Sequence, residues 1–170
     1  MVFLALGSNL SSKFGDRFKN INLAILHLES YGVKIIKKSN FYETYSHPNK
    51  KDPKFINIVI SIKTYLSPVD LMSVLLFIEV KLERKRNKKN DPRTCDIDII
   101  DYNNQVLDFK YKNLNLTMPH KELIFRNFVL LPLQEIAPEW KHPITKKNIS
   151  TLINKLPEED KKSILMINKN

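Results

Sequence analysis

Hydrophobic and polar positions along this chain switch between two periods, and the switches lay out its elements. Residues Phe55–Lys63 alternate strictly. Ile56, Ile58, Ile60 and Ile62 share one face, and Phe55, Asn57, Val59, Ser61 and Lys63 share the other, as in a strand. The apolar run 2–6, closed by Gly7-Ser8-Asn9, predicts a buried strand and a turn. Phe14, Phe18, Ile21, Ile25 and Leu28 then recur at helical spacing, and Gly32 ends the helix they predict. Residues 33–44 are rich in β-branched and aromatic side chains and predict one further strand. A polar loop, 47–53, follows. Ser67, Pro68 and Asp70 supply an N-cap, a proline at N1 and an acid at N3. The helix they start buries Leu71, Val74, Leu75, Ile78 and Leu82. A charged loop, 84–92, leads to a last strand at 95–102.

The order β-α-β-β-α-β predicts an α/β (α+β) protein with a ferredoxin-like core. Its sheet is expected to be mainly antiparallel, with helices on one face and the other partly open. Residues 103–170, broken by prolines at 119, 132, 138, 143 and 157, predict C-terminal additions over the sheet edges and second face. Within them 158–170 reads as a surface helix or tail. One domain spanning 1–170 is expected, without repeats or linkers.

Composition narrows the class. No apolar run approaches the ~20 residues of a membrane helix. The first residues lack the basic flank of a signal peptide. Cys95 is the single cysteine, which excludes a disulfide framework or a cysteine-built zinc site and fits a reducing cytoplasm. The net charge of +10 would suit a polyanion. Lysine and asparagine, however, are spread over plain surface segments such as 34–38 and 146–148, so charge alone selects no partner.

Asp96 and Asp98 are the first chemical signal. Two residues apart on a strand, they share a face roughly 7 Å apart. Aspartate is depleted in strands, and like charges on one face repel. A solvated face, salt bridges to nearby bases, and magnesium are the three ways to accommodate them. With three glycines in all, the chain has no glycine-rich phosphate loop. Bound phosphates would need side chains, for which Arg84, Arg86, Arg93, His120 and Arg126 are the candidates. Lys85, Lys88 and Lys89 read better as a solvated loop. Phe55 and Asn57 could stack on and hydrogen-bond a flat heterocycle, or serve as core and edge residues. His120 after Pro119, and Phe128 after Arg126, are ordinary singly and informative together.

The stretches LALGSNL, SNFYET, FINIVISI, PRTCDIDIID and MPHKELIFRNFVLLPLQEIAPEW, in that order over residues 3–140, resemble the 6-hydroxymethyl-7,8-dihydropterin pyrophosphokinase family of folate biosynthesis. The resemblance implies transfer of diphosphate from ATP to the pterin hydroxymethyl group, with release of AMP. It implies that Asp96 and Asp98 hold two magnesium ions. Phe55 and Phe128 would stack on the pterin, Asn57 would read its polar edge, and the Thr44-Tyr45 backbone would complete the pocket. Arg84, Arg93, His120 and Arg126 match positions on the ATP phosphates or at the closing site, and Glu79 an acid near the nucleotide. Arg84 and Arg93 join the aspartates as catalytic residues. No catalytic base stands out, Asp98 being the one candidate. A monomer acting on small molecules is expected, with neither nucleic acid nor membrane as partner.

The chain departs from the family pattern in two loops. Asn90 and Asp91 stand where family members commonly carry Trp and Gly, and loop 84–92 is about one residue shorter than the common form. The loop after Thr44 lacks the usual Pro and Gly. A ferredoxin-like RNA-binding module is the alternative from another class. It would lack its glycine-aromatic signature, and acidic residues in its sheet would repel phosphates. A metal-dependent nuclease would leave Phe55, Asn57 and residues 120–128 without a purpose.

Overall fold

Ile56, Ile58, Ile60 and Ile62 are fully buried, and the strand that carries them organises the sheet. The computed structural model describes residues 1–85, 91–111 and 114–167. Its elements run β1 (Val2–Ser8), α1 (Arg17–Ser30), β2 (Lys34–Lys38), β3 (Phe41–Thr44), β4 (Phe55–Lys63), α2 (Pro68–Lys81) and β5 (Asp96–Tyr102). After these come β6 (Leu107–Tyr111), β7 (Leu114–Met118), a 3-10 turn (Leu123–Phe125), α3 (Asn127–Ile136), α4 (Ile149–Asn154), α5 (Glu158–Lys162) and β8 (Leu165–Ile167). The sheet order is β5-β1-β4-β3-β8, with β2 also on β4, and every pairing is antiparallel. Strands β6 and β7 form a separate hairpin. This is the expected ferredoxin-like arrangement with C-terminal additions.

The two periods fill two cores. On one sheet face the β4 isoleucines meet Leu4 and Leu6 of β1, Ile21 and Leu28 of α1, and Leu71, Leu75 and Ile78 of α2. Cys95, Ile97 and Ile99 turn to this face, as their alternation with the aspartates requires. Each fully buried Leu or Ile contributes about 2 kcal/mol of transfer free energy. On the other face Phe3, Val59 and Ile100 pack under Val129, Leu130 and Leu133 of α3, Ile149 and Leu152 of α4, and Trp140. The Trp140 indole N–H donates to Asp101 Oδ2 at 2.7 Å, and the Asn104 N–H donates to Oδ1 at 2.8 Å. Burial pushes the Asp101 carboxyl above its ordinary pKa, and these two donors work against the rise.

Three expectations are corrected. Residues 33–44 form two strands, not one. The Ser39 hydroxyl accepts the Val59 N–H at 3.0 Å and the Ser39 N–H donates to the Val59 carbonyl, so a side chain enters the ladder and splits it. Phe14 lies outside α1 and is exposed, because Asp16 caps the helix by accepting the Lys19 N–H at 2.8 Å. The segment after residue 158 is not only a helix or tail, since β8 adds an edge strand to β3. Among the described residues no helix is long and apolar enough to cross a membrane.

Candidate active site

Strand register assembles the site. Gly7 of β1 lies opposite Asp96 on one side and Asn57 on the other, and Ala5 lies likewise between Asp98 and Val59. Opposed residues of an antiparallel ladder point to the same face, so Asp96, Gly7 and Asn57 form one row across the sheet. Two strand spacings separate its ends by roughly 10 Å. Gly7 keeps the floor of this row open. A Cβ there would stand 3.1 Å from Asn57 Oδ1 and 3.5 Å from the Phe55 ring. Helices α3 and α4 cover the second face farther along, and the Asp98 side chain is 37% exposed.

The carboxylate end is rich in guanidinium groups. Arg84 Nη1 bridges Glu79 Oε1 and Asp96 Oδ1. Burial opposes the Arg84 charge, but Asp96 and Glu79 outweigh it and its pKa moves up. Glu79 is buried at 2% exposure and accepts the Ile97 N–H at 2.9 Å, joining α2 to β5. Arg93 Nε lies 3.0 Å from Asp96 Oδ2, off the line of a hydrogen bond. That buried Nε has no hydrogen-bond acceptor among the described residues.

Asp98 has fewer partners. Arg126 Nη1 is 3.3 Å from its Oδ2 and His120 Nε2 is 4.0 Å away. Burial, and then the charge of Asp96, push its carboxyl above the ordinary range. His120 Nδ1 accepts the Glu122 N–H at 3.1 Å, so a neutral ring carries its proton on Nε2, towards Asp98. Burial lowers the imidazole pKa and favours that neutral form.

The other end is aromatic and amidic. Asn57 Nδ2 donates to Thr44 Oγ1 at 3.0 Å, which orients the amide. Arg93 lies 5.1 Å from the Phe55 ring centre and Arg126 lies 5.6 Å from that of Phe128, so each ring is tied to the cationic end. Of the residues singled out from the sequence, Glu79, Arg84, Asp96 and Arg93 form one contact cluster, and Asp98, His120 and Arg126 form a second. Thr44, Phe55, Asn57 and Phe128 flank them. The Tyr45 side chain stands apart, half exposed under Lys54. Arg86 and Asn90 lie outside the described residues.

Gly7 and Asn9 escaped the sequence reading. Asn9, 2% exposed, donates to Ser46 Oγ at 3.3 Å and to the Pro53 carbonyl at 3.0 Å, and accepts the Arg93 N–H at 2.6 Å. One buried amide thus clamps the loop after β3 to the entry of β5. Its only sequence signal was a polar residue directly after an apolar strand.

The carboxylates fit a hard cation. Asp96 and Asp98 offer oxygens on one face, and burial first, then repulsion from Asp96, raise the Asp98 pKa, a penalty on the charge that a cation would offset. Among the described residues no group of three His, Cys, Asp or Glu surrounds the site, so much of a magnesium shell would come from water and phosphate.

The model of the 7,8-dihydro-6-hydroxymethylpterin-pyrophosphokinase (HPPK) family matches residues 3–138. The chain belongs to this family. An HPPK relative from Aquifex aeolicus, 2-amino-4-hydroxy-6-hydroxymethyldihydropteridine pyrophosphokinase, is 38% identical over 86% of this chain and 86% of its own length. The Pneumocystis carinii folic acid synthesis protein fol1 is 34% identical over 96% of this chain. This chain spans only 21% of that fungal relative and of the Schizosaccharomyces pombe protein of the same name. A crystal structure of wild-type Plasmodium falciparum HPPK-DHPS superimposes with a TM-score of 0.70 at 19% identity, over 91% of this chain and 44% of that one, and so shares the fold.

Proposed function

We propose that this chain transfers a diphosphoryl group from ATP to 6-hydroxymethyl-7,8-dihydropterin in cytoplasmic folate biosynthesis. The pterin hydroxymethyl oxygen attacks the β-phosphorus, the bond from that phosphorus to the α-phosphate oxygen breaks, and AMP leaves. The hydroxyl proton passes to solvent. One observation carries the reading: the Asp96-Gly7-Asn57 row sets a carboxylate and a buried amide on one sheet face, roughly 10 Å apart, with only a glycine between them.

Positioning and charge supply the acceleration. Two magnesium ions held by Asp96 and Asp98 would offset charge on the phosphoryl oxygens. Arg84, Arg93 and Arg126 clamp the phosphates, and the unsatisfied Arg93 Nε gains an acceptor there. His120 donates from Nε2, and Glu79 holds Arg84 in place. Phe55 and Phe128 hold the pterin between them, Asn57 reads its polar edge with Thr44 behind it, and the Tyr45 backbone closes the pocket. The chain acts as a monomer on these two small molecules.

Incubation with ATP, magnesium and the hydroxymethyl dihydropterin is expected to release AMP only when all three are present. Absence of pterin-dependent AMP would falsify this reading. Gly7→Ala tests the row itself. The added methyl crowds Asn57 and Phe55, an overpacking effect expected to weaken pterin binding by at least about fivefold. Calorimetric titration of the pterin against the variant, with a non-transferable ATP analogue present, checks this; wild-type affinity would count against the open floor.

A further inference from the structure

The chain beyond residue 138, where the family match ends, returns to the site. Asn127, between Arg126 and Phe128, donates from Nδ2 to the Asp160 carbonyl at 2.6 Å and to Ser163 Oγ at 3.2 Å. Its Oδ1 accepts the Phe128 N–H at 2.7 Å. Five residues beyond Asp160, β8 begins its pairing with β3, setting Leu165, Met166 and Ile167 opposite Glu43, Tyr42 and Phe41. The next residue of β3, Thr44, supports the Asn57 amide. Residues 157–167 therefore bond to Asn127, the neighbour of Phe128, and pair with Phe41–Glu43, the strand residues that lead into Thr44.

The two ends of α3 are held differently. Near its C-terminal end Glu135 accepts the Tyr42 hydroxyl at 2.9 Å and the Asn40 N–H at 2.9 Å. At its N-terminal end Arg126, the N-cap residue, makes no side-chain capping bond. Asn127 fills that role for the Phe128 N–H and carries its remaining polarity to the C-terminal segment.

We propose that residues 157–167 are a strap holding the first turn of α3 to the edge of the sheet, with Asn127 as a positioning residue that sets pterin affinity. The ligand's identity rests on the function proposed above. The strap itself does not.

Two variants approach the strap from opposite ends. Asn127→Ala removes both bonds to it. Ser163→Pro removes the Ser163 hydroxyl and the N–H that closes α5 onto the Glu159 carbonyl. Both are expected to speed amide hydrogen exchange at 41–44 and 127–131 while β1 and β4 keep wild-type protection. Both are expected to raise the pterin Kd about fivefold, the worth of roughly one hydrogen bond. Turnover at saturating pterin stays within about twofold of wild type, since the lost interaction supports binding and not the transition state. Unchanged exchange at 127–131 in either variant overturns the strap. Faster exchange with wild-type pterin affinity overturns the positioning role of Asn127. A wild-type chain that binds no pterin sinks the proposed function, and the strap is then decided by exchange alone.

Discussion

Asp96→Asn and Asp98→Asn are each expected to lower pterin-dependent AMP release by about a thousandfold, the upper range for removing one preorganised charge-stabilising group. Each substitution keeps the shape of the side chain and deletes one anion from the face that would hold the metal. Loss should appear in turnover more than in folding. In the metal-free protein the two carboxylates repel, and burial already penalises the Asp98 charge. The melting temperature of Asp98→Asn without metal is therefore expected at or above the wild-type value, and that of Asp96→Asn below it, because that substitution takes the anion away from Arg84 and Arg93. The pair of measurements separates a metal clamp from a structural ion pair. Wild-type turnover in both variants would sink the clamp; collapse of both folds would make Asp96 and Asp98 structural.

The second large effect concerns stability. Arg84→Met is expected to cost about 3–5 kcal/mol, as breaking one side of a buried pair does. The Glu79 and Arg84 side chains are 3% and 10% exposed, so deletion of the guanidinium strands a carboxylate deep in the protein. Adding Glu79→Gln to Arg84→Met is expected to restore much of the loss, since it removes the uncompensated charge. Urea unfolding of the two single variants and the double reads this coupling directly. A single variant as stable as wild type would show that the bridge contributes only to phosphate binding. Arg84 also contacts Asp96, so the same substitution leaves that carboxylate with Arg93 as its remaining close guanidinium among the described residues.

Much of the fold was legible because its signals are local. The alternation in β4 and the Ser67-Pro68-Asp70 start of α2 fall where the pattern puts them, since strand and helix periods are written in neighbouring residues. The split at Ser39 was not legible. It depends on a hydroxyl reaching Val59 on another strand, and no local window contains both. The exposed Phe14 shows the same limit from the other side, because a capping aspartate overrode an apolar repeat.

The candidate site divides along the same line. The sequence alone determined which side chains were available: paired carboxylates, arginines without a glycine-rich loop, and aromatic and amide groups. Tertiary structure decided how these meet. Antiparallel register put Gly7 between Asp96 and Asn57, a buried Asn9 joined two loops, and a C-terminal strap reached back to Asn127. Those contacts join residues far apart in the chain. Their strength comes from pairing and burial, which residue identity supplies only once the sheet has formed.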